Sequence, residues 1–322
     1  MQVRPALDWA MDKSLVLGYT RIGPRLRRRW WPADPAPDAL AGRDVLVTGA
    51  TGGLGLATAV DLAALGATVH LLGRGQARLD DARDEVLARR PGSNASAVHT
   101  HRCDVSDLND VDRCCARLAD QIEHLHGLVH NAGVLPPARA TSAQGHELTL
   151  ATHVLGPHRM TYRLADLLAG GGRVVVVSSG GMYSQPLPTD DYEYEAGEYS
   201  GVTAYARTKR MQVVLAELWA QRLAGRSIEV HSMHPGWVDT PGVSDSIPGF
   251  ARVMRPLLRT PADGADTIVW LLATDLPRGT GRFWHDRRPR PTQYLPRRRE
   301  TQDGRSRLWE FVTATTGLPR PV

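Results

Sequence analysis

From residue 44 onward, short apolar runs alternate with longer stretches in which apolar positions recur every three or four residues. The runs Asp44–Thr48, Thr68–Leu72, Ala97–Cys103, Gly127–His130, Gly172–Ser178 and Ile228–Met233 predict strands. Between and after them the spacing predicts helices over Leu54–Leu65, Arg78–Arg89, Asp110–His124, Glu147–Leu168, Thr203–Ala224 and Pro261–Ala273. Val174 to Val177 is apolar without alternation, so both faces of that strand must be covered, as in a parallel sheet clad in helices. Thr260 followed by Pro261 marks a helix start: the hydroxyl accepts a first-turn N–H, and proline fills a position whose N–H has no partner. Alternation this regular predicts an α/β fold, one doubly wound parallel sheet of the Rossmann type. It forms a single domain over residues 42–285, with extensions at both ends.

The extensions differ in character from the body. Residues 1–41 read as an arm: a helix over Ala6–Tyr19, the basic-aromatic stretch Arg25 to Trp31, and a stiff linker from Pro32 to Pro37. Arginines beside tryptophans suit an anionic membrane surface, which would make residues 1–31 a peripheral membrane contact. The same pattern also suits an arm packed on the body or on a partner subunit. Residues 286–322 are rich in arginine and proline, with a helix over Ser306–Thr315, and are expected to wrap the body or a partner. No stretch approaches the roughly twenty apolar residues of a membrane span, and Asp8, Asp12 and Lys13 interrupt any secretory run. Three cysteines without metal spacing point to no metal and to a reducing, cytoplasmic setting. The net charge of +5 resides in arginine clusters near the two ends, with no zinc-finger or aromatic RNA-binding pattern, so nucleic acid is not an expected partner.

Directly after the first predicted strand comes Thr48-Gly49-Ala50-Thr51-Gly52-Gly53-Leu54-Gly55. Glycines between a strand and a helix let the backbone approach a pyrophosphate at the helix N-terminus. Gly49, Thr51, Gly53, Leu54 and Gly55 are therefore candidate cofactor contacts. The spacing fits T-G-x-x-x-G-x-G through Gly49, Gly53 and Gly55, and also T-G-x-x-G-x-x-G through Gly49, Gly52 and Gly55. The second predicted strand ends Leu71-Leu72-Gly73-Arg74, without the acid that holds a ribose 2′-hydroxyl in NAD-selective sites. Arg74, with Arg78 as a second contact, suits a 2′-phosphate, which favours NADP(H) over NAD(H). Asp104 and Val105, after the third strand, are placed to meet the adenine amino group and ring.

Only two of the 39 lysines and arginines are lysines, Lys13 and Lys209. Lys209 follows Tyr205 by four residues, so the two share one helical face. A compact ammonium can act there where the broad guanidinium cannot. With Ser179 at the end of the fifth strand, Tyr205 and Lys209 resemble the serine–tyrosine–lysine set of the short-chain dehydrogenase/reductase family. His130-Asn131-Ala132-Gly133 resembles that family's N-N-A-G, and Pro235-Gly236-Trp237-Val238-Asp239-Thr240 its P-G-x-V-x-T. On these motifs the chain is identified as a member of the family's compact branch. Segments such as Ser178–Met182 and Thr208–Leu215 resemble a narrower group whose members also carry an N-terminal arm.

The resemblance implies roles. Ser179 hydrogen-bonds the reacting oxygen, Tyr205 is the general acid or base, and Lys209 favours the phenolate and holds the nicotinamide ribose. Asn131, Ala132, Gly133, Pro235, Gly236, Val238 and Thr240 contact the cofactor, with Thr240 and the Pro235–Gly236 turn holding the carboxamide. The partner is then a small carbonyl or alcohol, and the assembly a homo-oligomer. One departure stands out: the family's asparagine in N-x-L-G is His153 in His153-Val154-Leu155-Gly156. Imidazole both donates and accepts, so His153 is expected to serve as the fourth catalytic residue in the proton path. The opposite reading, impaired turnover, would leave a nucleotide-binding regulator. The alternative glycine spacing would point to a nucleotide-sugar epimerase.

Ser179 and Tyr205 are 26 positions apart, and the intervening loop carries Met182, Tyr183, Pro186, Pro188, Tyr192 and Tyr194 among Asp190, Asp191, Glu193 and Glu195. It reads equally as a substrate wall and as a solvated acidic loop. The likeness to retinol-type and carbonyl-type reductases implies an apolar aldehyde, ketone or alcohol.

Overall fold

The computed structural model describes residues 3–89, 97–239, 254–275, 279–294 and 300–319. One sheet contains β1 (Asp44–Thr48), β2 (Thr68–Gly73), β3 (Val98–Arg102), β4 (Leu125–His130), β5 (Arg173–Val177), β6 (Glu229–Met233), β7 (Phe283–His285) and β8 (Arg288–Arg290), in the order β3-β2-β1-β4-β5-β6-β7-β8. All neighbours are parallel except β7 and β8, which are antiparallel. The six predicted strands are present. β7 and β8 lie outside the prediction because three residues cannot display a period.

The helices are α1 (Val3–Lys13), α2 (Leu15–Tyr19), α3 (Ile22–Arg27), α4 (Gly53–Ala64), α5 (Gln76–Arg89), α6 (Leu108–Gln121), α7 (Leu148–Leu150), α8 (Gly156–Arg163), α9 (Ala165–Leu168), α10 (Gly201–Leu223), α11 (Pro261–Ala273) and α12 (Gln302–Thr315). They cover both faces of the sheet. Val174 and Val176 enter the core formed with α6, α10 and α12, while Val175 and Val177 enter the core formed with α4, α5 and α11. This is the period-two division that the unbroken valine run requires.

The single helix predicted over Glu147–Leu168 is instead α7, a π turn over Ala151–Leu155, α8 and α9. Pro157 gives the reason. It has no N–H for the carbonyl of His153 four residues earlier, and Gln212 Nε2 of α10 donates to that carbonyl instead, at 2.9 Å. The helix predicted over Ala6–Tyr19 breaks at Ser14, whose hydroxyl caps α2 by accepting from Leu17 N.

The arm packs on the body through buried charge. Arg27, wholly buried, donates to Asp8 Oδ1 at 2.9 Å and to Asp286 Oδ2 at 2.6 Å. Arg259 donates to Asp286 Oδ1 at 2.6 Å, and Arg290 to Asp8 Oδ2 at 2.8 Å. Burial alone would raise the Asp286 carboxyl, but Arg259 and Arg27 outweigh it and hold it far below the usual carboxylate range. Asp286 and Arg287, with φ of 50° and 55°, make the tight two-residue turn between β7 and β8. The left-handed backbone costs these residues about 1 kcal/mol each, which the ion pairs offset. At the other end, Leu308, Trp309 and Val312 of α12 complete the core against α10.

Asp286→Ala would leave two guanidinium groups buried without their shared partner. We expect a loss of about 3–5 kcal/mol in urea unfolding. Asp34→Ala, which removes an exposed partner of Arg287, should cost less than about 1 kcal/mol. Equal losses in the two variants would contradict this account of the arm.

Candidate active site

In a doubly wound sheet the C-terminal strand ends share one edge, and the candidate residues gather there. After β1, Gly49 and Gly53 have φ of 66° and 52°. A Cβ on Gly55 would lie 2.3 Å from the Gly49 carbonyl oxygen. Gly52 is extended and would meet nothing within 4 Å. The backbone therefore demands glycine at the three positions of T-G-x-x-x-G-x-G and leaves open space above Gly52. No side chain caps α4, so its first-turn N–H groups face that space unspent. Such a cradle fits a dinucleotide pyrophosphate, and the chain's own residues would hold it through backbone N–H groups.

The loop is fastened by residues outside the sequence prediction as well as within it. Thr48 Oγ1 donates to Val129 O and accepts from the N–H groups of Asn131 and Ala132. Asn131 Nδ2 donates to the carbonyls of Thr48 and Gly49 at 2.9 and 3.2 Å. Asn131 thus locks the glycine turn to the end of β4. Thr51 Cγ2 lies within 2.7 Å of where a Gly73 Cβ would stand. Asp104 holds its own turn, accepting from Ser106 N and Oγ, and Val105 is buried beneath. Arg74 and Arg78 are exposed beyond β2 and have no carboxylate partner among the described residues.

Ser179 follows β5 and caps the turn Gly180–Ser184, its Oγ accepting from Gly181 N at 3.1 Å. Tyr205 and Lys209 come from α10. Burial raises the Tyr205 phenol, and a hydrogen bond from Ser179 works the other way. Lys209 Nζ lies 5.3 Å from the Tyr205 ring centroid and donates to Val177 O at 2.8 Å. Its own carbonyl accepts from Ser178 Oγ at 2.8 Å, so both ends of the residue are tied to β5. The structure brings Ser179, Tyr205 and Lys209 together.

His153 sits wholly buried beside them, its ring edge-on to Tyr205 at 5.3 Å. Nε2 accepts from Val134 N at 3.0 Å, which places the proton on Nδ1, and Nδ1 donates to Thr208 Oγ1 at 2.9 Å. Thr208 in turn donates to the carbonyls of Ala204 and Tyr205. Burial holds His153 neutral, with the Lys209 charge acting in the same direction. Both nitrogens are occupied in tying the loop after Gly133 to the helix turn that carries Tyr205.

After β6, Gly236 has φ of 82°, and a Cβ there would lie 2.4 Å from Arg259 Nε and 2.7 Å from Tyr19 O. Trp237 N donates to Tyr19 O at 2.8 Å, and Val238 pairs with Arg259 in a short parallel bridge. The Tyr19 ring also closes on Gly180, where an added Cβ would come within 2.4 Å of it. The arm therefore braces both the Ser179 turn and the Pro235–Gly236 turn. Nothing in the sequence signals this, because Gly18 and Tyr19 make the contact through carbonyls and ring shape. Thr240 lies outside the described residues.

A glycine cradle at the first strand end, facing a Ser–Tyr–Lys cluster at the fifth, defines a nucleotide-dependent oxidoreductase on a doubly wound sheet. The family model described as short chain dehydrogenase matches residues 43–248. The chain is 40% identical over 261 residues to Dehydrogenase/reductase SDR family member 12 of Homo sapiens, covering 80% of each chain. It is 30% identical over 333 residues to Retinol dehydrogenase 14 of Mus musculus, covering 98% of each. An Escherichia coli protein of the short chain dehydrogenase class, solved in complex with NADPH, superposes with a TM-score of 0.65 at 26% identity, covering 79% of this chain and 100% of that one. The chain belongs to the short-chain dehydrogenase/reductase family, the NAD(P)-dependent oxidoreductases acting on CH–OH and C=O groups.

Burial pulls Lys209 down from 10.5 to about 7. The unfolded chain keeps that proton to higher pH, so between these values the unfolded state binds more protons and this residue's penalty fades as pH rises. Lys209→Met should therefore exceed the wild type in stability by a few kcal/mol below pH 7. The gap should close toward pH 10. Unfolding midpoints of both proteins across that range check it, and a gap indifferent to pH would remove burial as the cause.

Proposed function

We propose that the protein transfers a hydride between NADP(H) and the carbonyl or alcohol carbon of an apolar small molecule, with Tyr205 exchanging the proton. The observation that carries this reading is the convergence of Ser179, Tyr205 and Lys209 at the end of β5. The bound nicotinamide supplies the hydride in reduction and accepts it in oxidation. Ser179 hydrogen-bonds the substrate oxygen. Tyr205, kept protonated at neutral pH by burial, donates its proton to that oxygen as it becomes negative. Lys209, drawn to about 7 by burial, would hold the nicotinamide ribose, and in its charged form favours the phenolate left on Tyr205.

Arg74 supports NADP(H), since the end of β2 offers a guanidinium and no acid. Retinol dehydrogenase 14 among the relatives supports an apolar substrate. His153 is best read as a positioning residue: its nitrogens hold the Gly133 loop against α10 and leave neither free for a proton path.

Tyr205→Phe should lower kcat by about 10²-fold or more across a carbonyl panel while leaving NADPH affinity within a few-fold. Turnover surviving that change would refute the mechanism, and NADPH binding without turnover in the wild type would favour a regulator. Titration should give tighter binding of NADPH than NADH, with Arg74→Asp reversing the order. His153→Asn should lower kcat without displacing its pH profile; a displaced profile would restore the relay.

A further inference from the structure

Six large apolar side chains stand exposed among the described residues, and four of them, Leu7, Trp9, Val16 and Leu17, belong to α1 and α2. Trp9 is the most open, at 61% of its surface. Lys13 Nζ lies 4.0 Å over the Trp9 ring, so cation and indole share one face of α1. Arg21, Arg25 and Arg29 are also exposed. Residues 1–31 contain two carboxylates, Asp8 and Asp12. Both are buried, facing Arg27 and Arg290, with Tyr294 donating to Asp12. The outward side of the arm is thus apolar and cationic with no acid of its own. Nearby, Asp263 pairs with Arg28, and no carboxylate among the described residues pairs with Arg21, Arg25 or Arg29.

Only part of the basic-aromatic stretch reaches this surface. Arg27 is inside, and Trp31 is half-buried between the guanidinium groups of Arg28 and Arg287. We propose that α1 and α2 lie in the interface of a bilayer containing anionic phospholipid. Trp9, Leu7, Val16 and Leu17 enter the headgroup–acyl boundary, and Lys13, Arg21, Arg25 and Arg29 meet lipid phosphates and carboxylates. No helix among the described residues is long and apolar enough to cross a membrane, so the arm rests on the surface. A second copy of this chain fits the patch less well, because a two-fold contact would set these cations against themselves.

Flotation of the full-length protein with phosphatidylcholine vesicles, with and without phosphatidylserine, tests the assignment. Binding should be about tenfold or more stronger with phosphatidylserine and should weaken with added salt. The double variant Trp9→Ser/Leu17→Ser should lose binding while shifting its unfolding midpoint by no more than a few degrees, because both side chains are exposed. Arg25→Gln/Arg29→Gln should reduce the phosphatidylserine preference. No flotation, or equal flotation with both vesicles, overturns the proposal. So does a dimer by light scattering that dissociates in the double variant while the wild type ignores vesicles.

Discussion

A parallel sheet cannot leave either face in water, and that constraint shapes the rest of this molecule. It puts α4, α5 and α11 on one face and α6, α8 and α10 on the other, and divides the valines of β5 between two cores. It also gathers the C-terminal strand ends at one edge, where the glycine turn, the Asn131 turn, Ser179 and the Pro235–Gly236 turn become neighbours although they are scattered over nearly two hundred residues. The constraint creates a difficulty at β7, a strand of three residues at the margin of the sheet. The hairpin to β8 and the arm behind it cover that margin, and the Asp286 charge fixes the hairpin.

Two kinds of polar structure meet at the site and do different work. Toward the cofactor side the groups are neutral and chained by hydrogen bonds: Thr48, Asn131, His153, Thr208 and Gln212. They fix loop positions without creating a local field. Behind the Pro235–Gly236 turn the groups are full charges, Asp8, Arg27, Arg259, Asp286 and Arg290, nearly all spent on one another. Lys209 stands between these regimes as a single buried cation whose nearest support is the carbonyl of Val177. Burial makes its proton easier to lose than that of an exposed lysine.

Much of this was legible in the sequence because it rests on local patterning. Strand runs, helical periods, the Thr260–Pro261 start and the spacing of Tyr205 and Lys209 all act over a few residues. The turn chemistry was also readable, although choosing between the two glycine patterns needed backbone angles and the empty space at Gly52. Two kinds of feature were out of reach. β7 and β8 are too short to have a period. The Tyr19 brace, the Gln212 contact to His153 O and the Arg27–Asp286 pair join residues between 59 and 259 positions apart, for which no window of sequence carries a signal. Pro157 lies inside the single helix predicted over Glu147–Leu168, and its effect, the π turn that carries His153, follows from the missing N–H.

The pairing of Asp8 and Arg27 with Arg290 and Asp286 also has a consequence for the order in which the chain is made. The arm leaves the ribosome well before the groups that neutralise its carboxylates and share its arginine, which lie 259 and 282 positions later in the chain. Until residue 290 has been synthesised, α1 to α3 have nowhere to bury those charges, and the parallel sheet can assemble as far as β6 without them. The arm can therefore dock only after β7 and β8 have been made. The turns braced by Tyr19 take their final shape only once Asp286 and Arg290 have been made.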